Sequence, residues 1–337
     1  MATIREVAKE AGVSIGTVSR YLNGHQLKKN NMENIQRAIE KFGYEENIIA
    51  KGLKNNRSMS VGVLVNSLTD VFATSIVSSL ENYLEKNNYS LLLCDYQNDY
   101  QRLERKLEFL KSRSVDGVVI FHLEKNLPIL EKLRSAGIAI IAVDSPIKGF
   151  KTDTVLVDNY QSSYNVVDKF FDEGHEKIGI IAGDTTRYIG LERLNGYIDS
   201  MKEKNIFSEE LIVMGDYTKE AGYLGAMKLL EKTGITALYS TNYYMTLGAV
   251  QALLEKEKKI PEDISVIGFD HFELSDIIQP KLTVVEQPIQ EIGEMVGQLI
   301  MDNLKGKKRK HFTTIELETT LLWRASVKKN EKTLAND

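Results

Sequence analysis

Residues 4–11 (IREVAKEA) set Ile4, Val7, Ala8 and Ala11 at helical spacing, which predicts a short helix with one apolar stripe. Gly12 follows where a helix end favours left-handed backbone, and Ser14 stands where its hydroxyl can accept from an amide near Thr17. A second helix over 15–22 turns Val18 and Leu22 inward and stops at Asn23-Gly24. A third, over about 31–42, carries Ile35, Ala38, Ile39 and Phe42 at core spacing. Two short helices around a glycine-containing turn, with a third behind them, predict a helix-turn-helix. Residues 45–58 are polar, with Asn47, Ala50 and Leu53 at helical spacing, and are too short to hold a helix alone in water. From residue 60 the pattern changes. Apolar runs at 61–65, 91–94, 115–121, 138–143, 177–182, 237–240 and 264–269 read as strands. Amphipathic helices lie between them, for example at 72–86, 103–111, 160–173, 191–204 and 219–231. Continuous apolar strands alternating with helices predict parallel sheets. Roughly 270 residues of this pattern exceed one sheet, so two doubly wound lobes are expected.

Composition sharpens the division. The chain has 337 residues, 42% hydrophobic and 27% charged, enough for two or three domains. The net charge of −4 conceals an asymmetry: residues 1–58 hold ten Lys or Arg against six acids, leaving 33 against 41 for the rest. A basic head on an acidic body is the balance expected of a DNA-binding segment attached to a sensor. The single cysteine, Cys94, lies in an apolar run and reads as a small buried hydrophobe. It cannot form an internal disulfide, which suits a reducing compartment. The first residues carry no apolar signal core and no run reaches the length of a membrane span, so a cytoplasmic protein is expected.

In a helix-turn-helix the second helix enters the major groove. Its outward residues are Ile15, Gly16, Ser19 and Arg20. Arg20 can fork onto guanine or a phosphate, Ile15 can touch a thymine methyl, and Gly16 lets the backbone approach; Thr17 suits phosphate better than bases. A small helical head that binds protein instead is the competing reading. Gly12-Val13-Ser14-Ile15-Gly16 also matches the G-x-S-x-G nucleophile elbow, but that motif needs a preceding strand, and here a helix precedes it. The five histidines (25, 122, 175, 271 and 311) are scattered, and no phosphate loop, dinucleotide fingerprint or C-x-x-C occurs. His271 beside Asp270 is a weak pair. No enzyme, cofactor or metal site is expected.

The run TIREVAKEAGVSIGTVSRYLNG, followed by IQRAIEKFGY, resembles the lactose/galactose repressor family of regulators. The resemblance continues through SVDGVVI, VDN, GHEKIGIIAGD, TNYYMTLGAV, DISVIGFD and LTVVEQPIQEIG. It implies an all-α helix-turn-helix head plus an α/β periplasmic-binding-protein-like core of two doubly wound lobes. The segments would be a head at 1–45, a hinge at 46–59, one lobe from 60–158 and 287–316, a second from 159–286 and 317–328, and a disordered tail at 329–337. DNA contacts would come from Thr3, Ser14, Ile15, Gly16, Thr17, Ser19, Arg20 and Asn23. In the hinge, Asn47, Ala50 and Leu53 would join them, with Leu53 wedged into the minor groove. A small-molecule effector would be held between the lobes by Asp70, Phe72, Arg193, Tyr217, Asn242, Asp270 and Gln287. The arginine fork and the carboxylates suit sugar hydroxyls or polar heterocycles.

The implied function is a repressor of carbohydrate-utilisation genes, binding a palindromic double-stranded operator as a homodimer and controlled by a sugar or sugar derivative. Two alternatives stay open: control by a phosphocarrier protein docking on the N-terminal lobe, and a free-standing sugar-binding protein. Four departures from the family pattern stand out. Glu46 replaces a proline, Lys51 an arginine and Asn31-Met32 a Thr-Arg pair, while Tyr243-Tyr244 follows Asn242 where an Asp is usual.

Overall fold

The computed structural model describes residues 2–22, 24–44, 57–305 and 311–330. They fall into two compact units, Met1–Met59 and Ser60–Asp337. Asn23 and the hinge residues Asn47, Ala50 and Leu53 lie outside the described residues.

The first unit is built from α1 (Ile4–Glu10), α2 (Ile15–Leu22) and α3 (Lys29–Phe42). Thr3 and Glu6 cap α1 reciprocally: Glu6 N donates to the Thr3 hydroxyl at 3.4 Å and Thr3 N to a Glu6 carboxylate oxygen at 2.7 Å. Gly12 takes the left-handed backbone (φ 65°) that turns the chain toward α2. Ser14 Oγ accepts from Thr17 N at 3.2 Å and so caps α2. Val7, Ala8, Ala11, Val18, Ile35 and Ala38 form the buried core, with Tyr21, Leu22, Ile39 and Tyr44 packed on it. Two expectations need correction. The third helix begins two residues earlier, at Lys29, and has no side-chain cap. Phe42 is exposed rather than buried, because Gly43 ends the helix there, and the Lys41 ammonium lies 5.6 Å from the ring centre.

The second unit has two six-stranded sheets. The first contains β1 (Ser60–Val65), β2 (Ser90–Asp95), β3 (Gly117–Phe121), β4 (Ala139–Val143), β5 (Asp153–Val157) and β11 (Thr314–Leu317). Its order is β11-β5-β4-β3-β1-β2, parallel throughout. The second contains β6 (Ile178–Ala182), β7 (Ile212–Met214), β8 (Ala237–Ser240), β9 (Ser265–Phe269), β10 (Thr283–Glu286) and β12 (Thr320–Leu322). Its order is β12-β10-β9-β8-β6-β7, parallel except for β12. Two doubly wound lobes with parallel sheets were expected, and they are what the chain forms.

The chain passes between lobes after β5, after β10 and between β11 and β12. Each lobe buries its own apolar cluster, around Leu64, Leu103 and Ile120 in one and Phe170, Ile180 and Tyr239 in the other. Strands β5, β7, β10, β11 and β12 have no counterpart among the apolar runs singled out in the sequence. β2 differs from a buried strand as well: at the sheet edge it leaves Leu92 and Leu93 exposed, while Cys94 is buried. Asn330, in the segment expected to be disordered, donates from its backbone amide to the Glu173 carbonyl at 2.8 Å. Among the described residues no helix is long and apolar enough to cross a membrane.

Candidate functional site

On the head, the described α2 residues singled out for DNA lie on the side of the helix away from buried Val18. Ile15, Gly16 and Arg20 are exposed on α2, with Thr17 and Ser19 half-buried beside them. Exposure of an isoleucine (46%) against burial of Val18 shows which side of α2 faces outward. The hydroxyls of Ser14 and Thr17 lie 2.9 Å apart, so Ser14 is engaged as a cap rather than poised as a nucleophile. Tyr21 donates from its hydroxyl to Gln36 of α3, fixing the angle between the two helices.

In the body, a cavity of about 320 Å³ opens between the lobes. All seven residues proposed for effector binding line it: Asp70, Phe72, Arg193, Tyr217, Asn242, Asp270 and Gln287. The topology explains the convergence. In each sheet the strand order reverses once, beside β1 and β3 in the first and β6 and β8 in the second. Crevices at such switch points lie outside the carboxyl ends of the strands. Asp70 follows β1, Tyr217 follows β7, Asn242 follows β8, Asp270 follows β9 and Gln287 follows β10.

Local structure holds each group. Asp70 caps helix Val71–Lys86, its Oδ1 accepting from Phe72 N at 3.1 Å, which leaves Oδ2 toward the cavity side. Arg193 is buried yet bonded: Nε donates to Asn159 Oδ1 at 2.7 Å, Nη1 to the Thr241 carbonyl at 2.6 Å, and the guanidinium lies 3.5 Å from the Phe269 ring centre. Asp270 accepts from Gln287 Nε2 at 2.6 Å and from Tyr243 N at 3.3 Å. Burial pushes the Asp270 carboxyl above its ordinary range, with Arg193 pulling the other way. Asn242 caps helix Tyr243–Glu255, its Oδ1 accepting from Met245 N at 3.1 Å. Tyr217 lies against Gly183, where a Cβ would stand 2.3 Å from its ring, so only glycine leaves room for that wall.

The sequence reading missed His122 and Asp144, which also line the cavity. His122 Nδ1 lies 3.0 Å from Asp144 Oδ2, and its Nε2 lies 4.0 Å from Asp70 Oδ2. Burial acts against the imidazolium, but Asp144 and then Asp70 outweigh it, and the His122 pKa is raised. Burial likewise acts against the Asp144 carboxylate, but His122 holds its pKa below the ordinary range. Each residue directly follows an apolar strand run, a signal that the sequence offered. His122, Asp144, Tyr217 and Asp270 all take left-handed backbone, with φ of 52°, 68°, 70° and 74°. Non-glycine residues held this way concentrate where ligands are bound. By contrast, His271 is not among the lining residues; it bonds Glu286 at 2.7 Å and Asp276 at 3.0 Å.

Comparisons with known proteins cover both units. Residues 3–47 match the family described as bacterial regulatory proteins, lacI family, and residues 167–327 a periplasmic binding protein-like domain. The chain is 32% identical over 333 residues to the HTH-type transcriptional repressor PurR of Mannheimia succiniciproducens, spanning 98% of this chain and 99% of that protein. A solved complex of the transcriptional regulator CelR with cellobiose is similar at 27% identity with a TM-score of 0.74, covering 97% of this chain and 100% of that one. The Lac repressor dimer bound to operator and the anti-inducer ONPF shares the fold, with a TM-score of 0.81 at 22% identity over 97% and 99% of the two chains.

Proposed function

The chain belongs to the lacI family of bacterial regulatory proteins, DNA-binding transcriptional repressors and not enzymes, and from that premise we propose that a small polar effector bound between its lobes controls its grip on an operator. The observation that carries the reading is the convergence of Arg193, from the helix Tyr188–Glu203, with Asp270 and Gln287, from separate strand ends, on one cavity. The cavity volume is at the lower end of the about 300–1,000 Å³ of small-molecule sites. Guanidinium, carboxylates and amides set around Phe72 and Tyr217 suit a sugar or sugar derivative, and the CelR relative is solved with cellobiose. The regulated genes would then serve carbohydrate use.

On the DNA side, α2 lies in the major groove, where Arg20 reads guanine or phosphate, Ile15 touches a thymine methyl and Ser19 adds a polar contact. Ser14 and Thr17 stand at the helix start, where amides and hydroxyls meet phosphate. A palindromic operator calls for two heads, so the working form is a homodimer. The exposed leucines of edge strand β2 are surface that a second copy would cover. A cytoplasmic location goes with this function.

A thermal-shift screen of sugars, sugar phosphates and nucleobases tests the reading, since a ligand stabilises only the state it binds. A compound that stabilises the wild type, but not an Asp270→Ala variant that still binds DNA, is the expected result. Operator binding tightened by a phosphocarrier protein, with no compound active, would replace the small molecule with a protein partner.

A further inference from the structure

The Tyr243-Tyr244 pair is the body's clearest departure from the family pattern, and the two rings have different surroundings. Tyr243 turns away from the cavity and packs edge-on against Phe272, with ring centres 4.7 Å apart. Tyr244 lines the cavity, and its hydroxyl crosses to the other lobe, donating to the Thr69 carbonyl at 2.9 Å. Both ends of that bridge are fixed locally. Asn242 caps the helix whose first turn holds Tyr244, and Thr69 N donates to Ser67 Oγ at 3.1 Å. A second bridge also joins the lobes, where Tyr188 N donates to a Glu124 carboxylate oxygen at 2.7 Å. The cavity, about 320 Å³, stands at the lower end of small-molecule sites, and Tyr244 forms part of its wall.

We propose that Tyr244 is a specificity-determining residue: its ring walls the cavity and its hydroxyl ties the lobes, so the site admits a ligand of one ring system and rejects its two-ring relatives. The inference rests on the cavity being the effector site. A disaccharide or nucleoside needs room where the Tyr244 ring stands, and making that room breaks the bond to Thr69. A ligand of one ring system fits with the bridge intact, and the bridge then favours the closed form it binds.

The test uses the full chain as wild type, Tyr244→Phe and Tyr244→Ala. Thermal shift followed by calorimetry compares monosaccharides, monosaccharide phosphates and nucleobases with disaccharides (cellobiose, lactose and maltose), their phosphates and nucleosides. The wild type is expected to bind compounds from the first group only. Tyr244→Phe, which keeps the wall and loses the bridge, binds the same compound about two- to tenfold more weakly, the effect of one hydrogen bond. Tyr244→Ala gains a two-ring compound that contains the accepted ring. A wild type that takes a disaccharide or nucleoside as tightly as its single ring overturns the inference and leaves the effector reading standing. So does a Tyr244→Phe affinity equal to wild type, which holds as a test even if Tyr244→Ala fails to fold. If nothing in either group binds the wild type, the effector reading itself fails, and this inference with it.

Discussion

The head and the body present their candidate chemistry in opposite ways. The head places Ile15, Gly16 and Arg20 on one exposed helix, within six consecutive residues. The body gathers Asp70, Asp270 and Gln287 from strand ends up to about two hundred residues apart, adds Arg193 from a helix, and turns them into a cavity. In the head the fold supplies a rigid rod, and the sequence of that rod is the site. In the body the fold itself is the site, because only the parallel sheets bring those loops together. Removing a side chain should therefore have different consequences. A head contact can be deleted with little harm to folding, whereas a body contact is also a structural bond.

Arg193→Ala is the sharpest way to break that contrast, and carries the largest expected effect. The guanidinium is 3% exposed, bonds Asn159 and the Thr241 carbonyl and stacks on Phe269. Its loss leaves two buried acceptors unmatched, which should cost about 3 kcal/mol. Trp323, the chain's single tryptophan, lies in the body and reports that transition by fluorescence in urea. A variant as stable as wild type would show that Arg193 serves only the ligand. Arg20→Ala comes next. It should leave the Trp323 transition unmoved and weaken specific operator binding by about 1–3 kcal/mol, the worth of one good base contact. Binding titrations against specific and scrambled duplexes check this; retained sequence selectivity would remove α2 from the groove.

The same contrast decides what could be read from the sequence. The head was legible because its signals are local: the stripe of Val7, Ala8 and Ala11, the turn at Gly12 and the cap at Ser14 all act within four residues. Phe42 was misread because core spacing continues to the last turn, while Gly43 ends the helix before that face is covered. The alternation of strands and helices disclosed two parallel lobes, but the three-residue strands β7 and β12 carry too little pattern to stand out. Of the cavity, the residues reached by resemblance all line one wall or another, whereas His122 and Asp144 became visible only as a pair. Their meeting depends on β3 lying beside β4, a pairing no local pattern records. Ser14→Ala tests the legible part: loss of the Thr17 amide bond should cost the head about 1 kcal/mol, read by helix melting of the full chain. An unchanged melt would mean that the cap contributes nothing.

The smallest effect separates the two regions by pH. The groups facing His122 are Asp144, which bonds it, Asp70 at 4.0 Å and the Arg187 cation, which opposes its charge. The net result raises its pKa above the ordinary imidazole value of 6.5. A raised value in the folded state means the charged imidazole stabilises the fold fully below that ordinary value. That stability is lost as pH rises through the folded pKa. Asp144 is shifted the other way, so its contribution is present above the ordinary carboxyl value of 3.8 and lost as pH falls below it. Between these limits the pair contributes most. The body of the wild type should therefore melt at falling temperature as pH climbs through the raised imidazole pKa, and His122→Gln should flatten that slope. The head has no such pair among its described residues, so its own melt should not share the trend. Equal slopes in wild type and His122→Gln would mean that the imidazole is neutral in the folded protein, and that Asp144 is held by other partners.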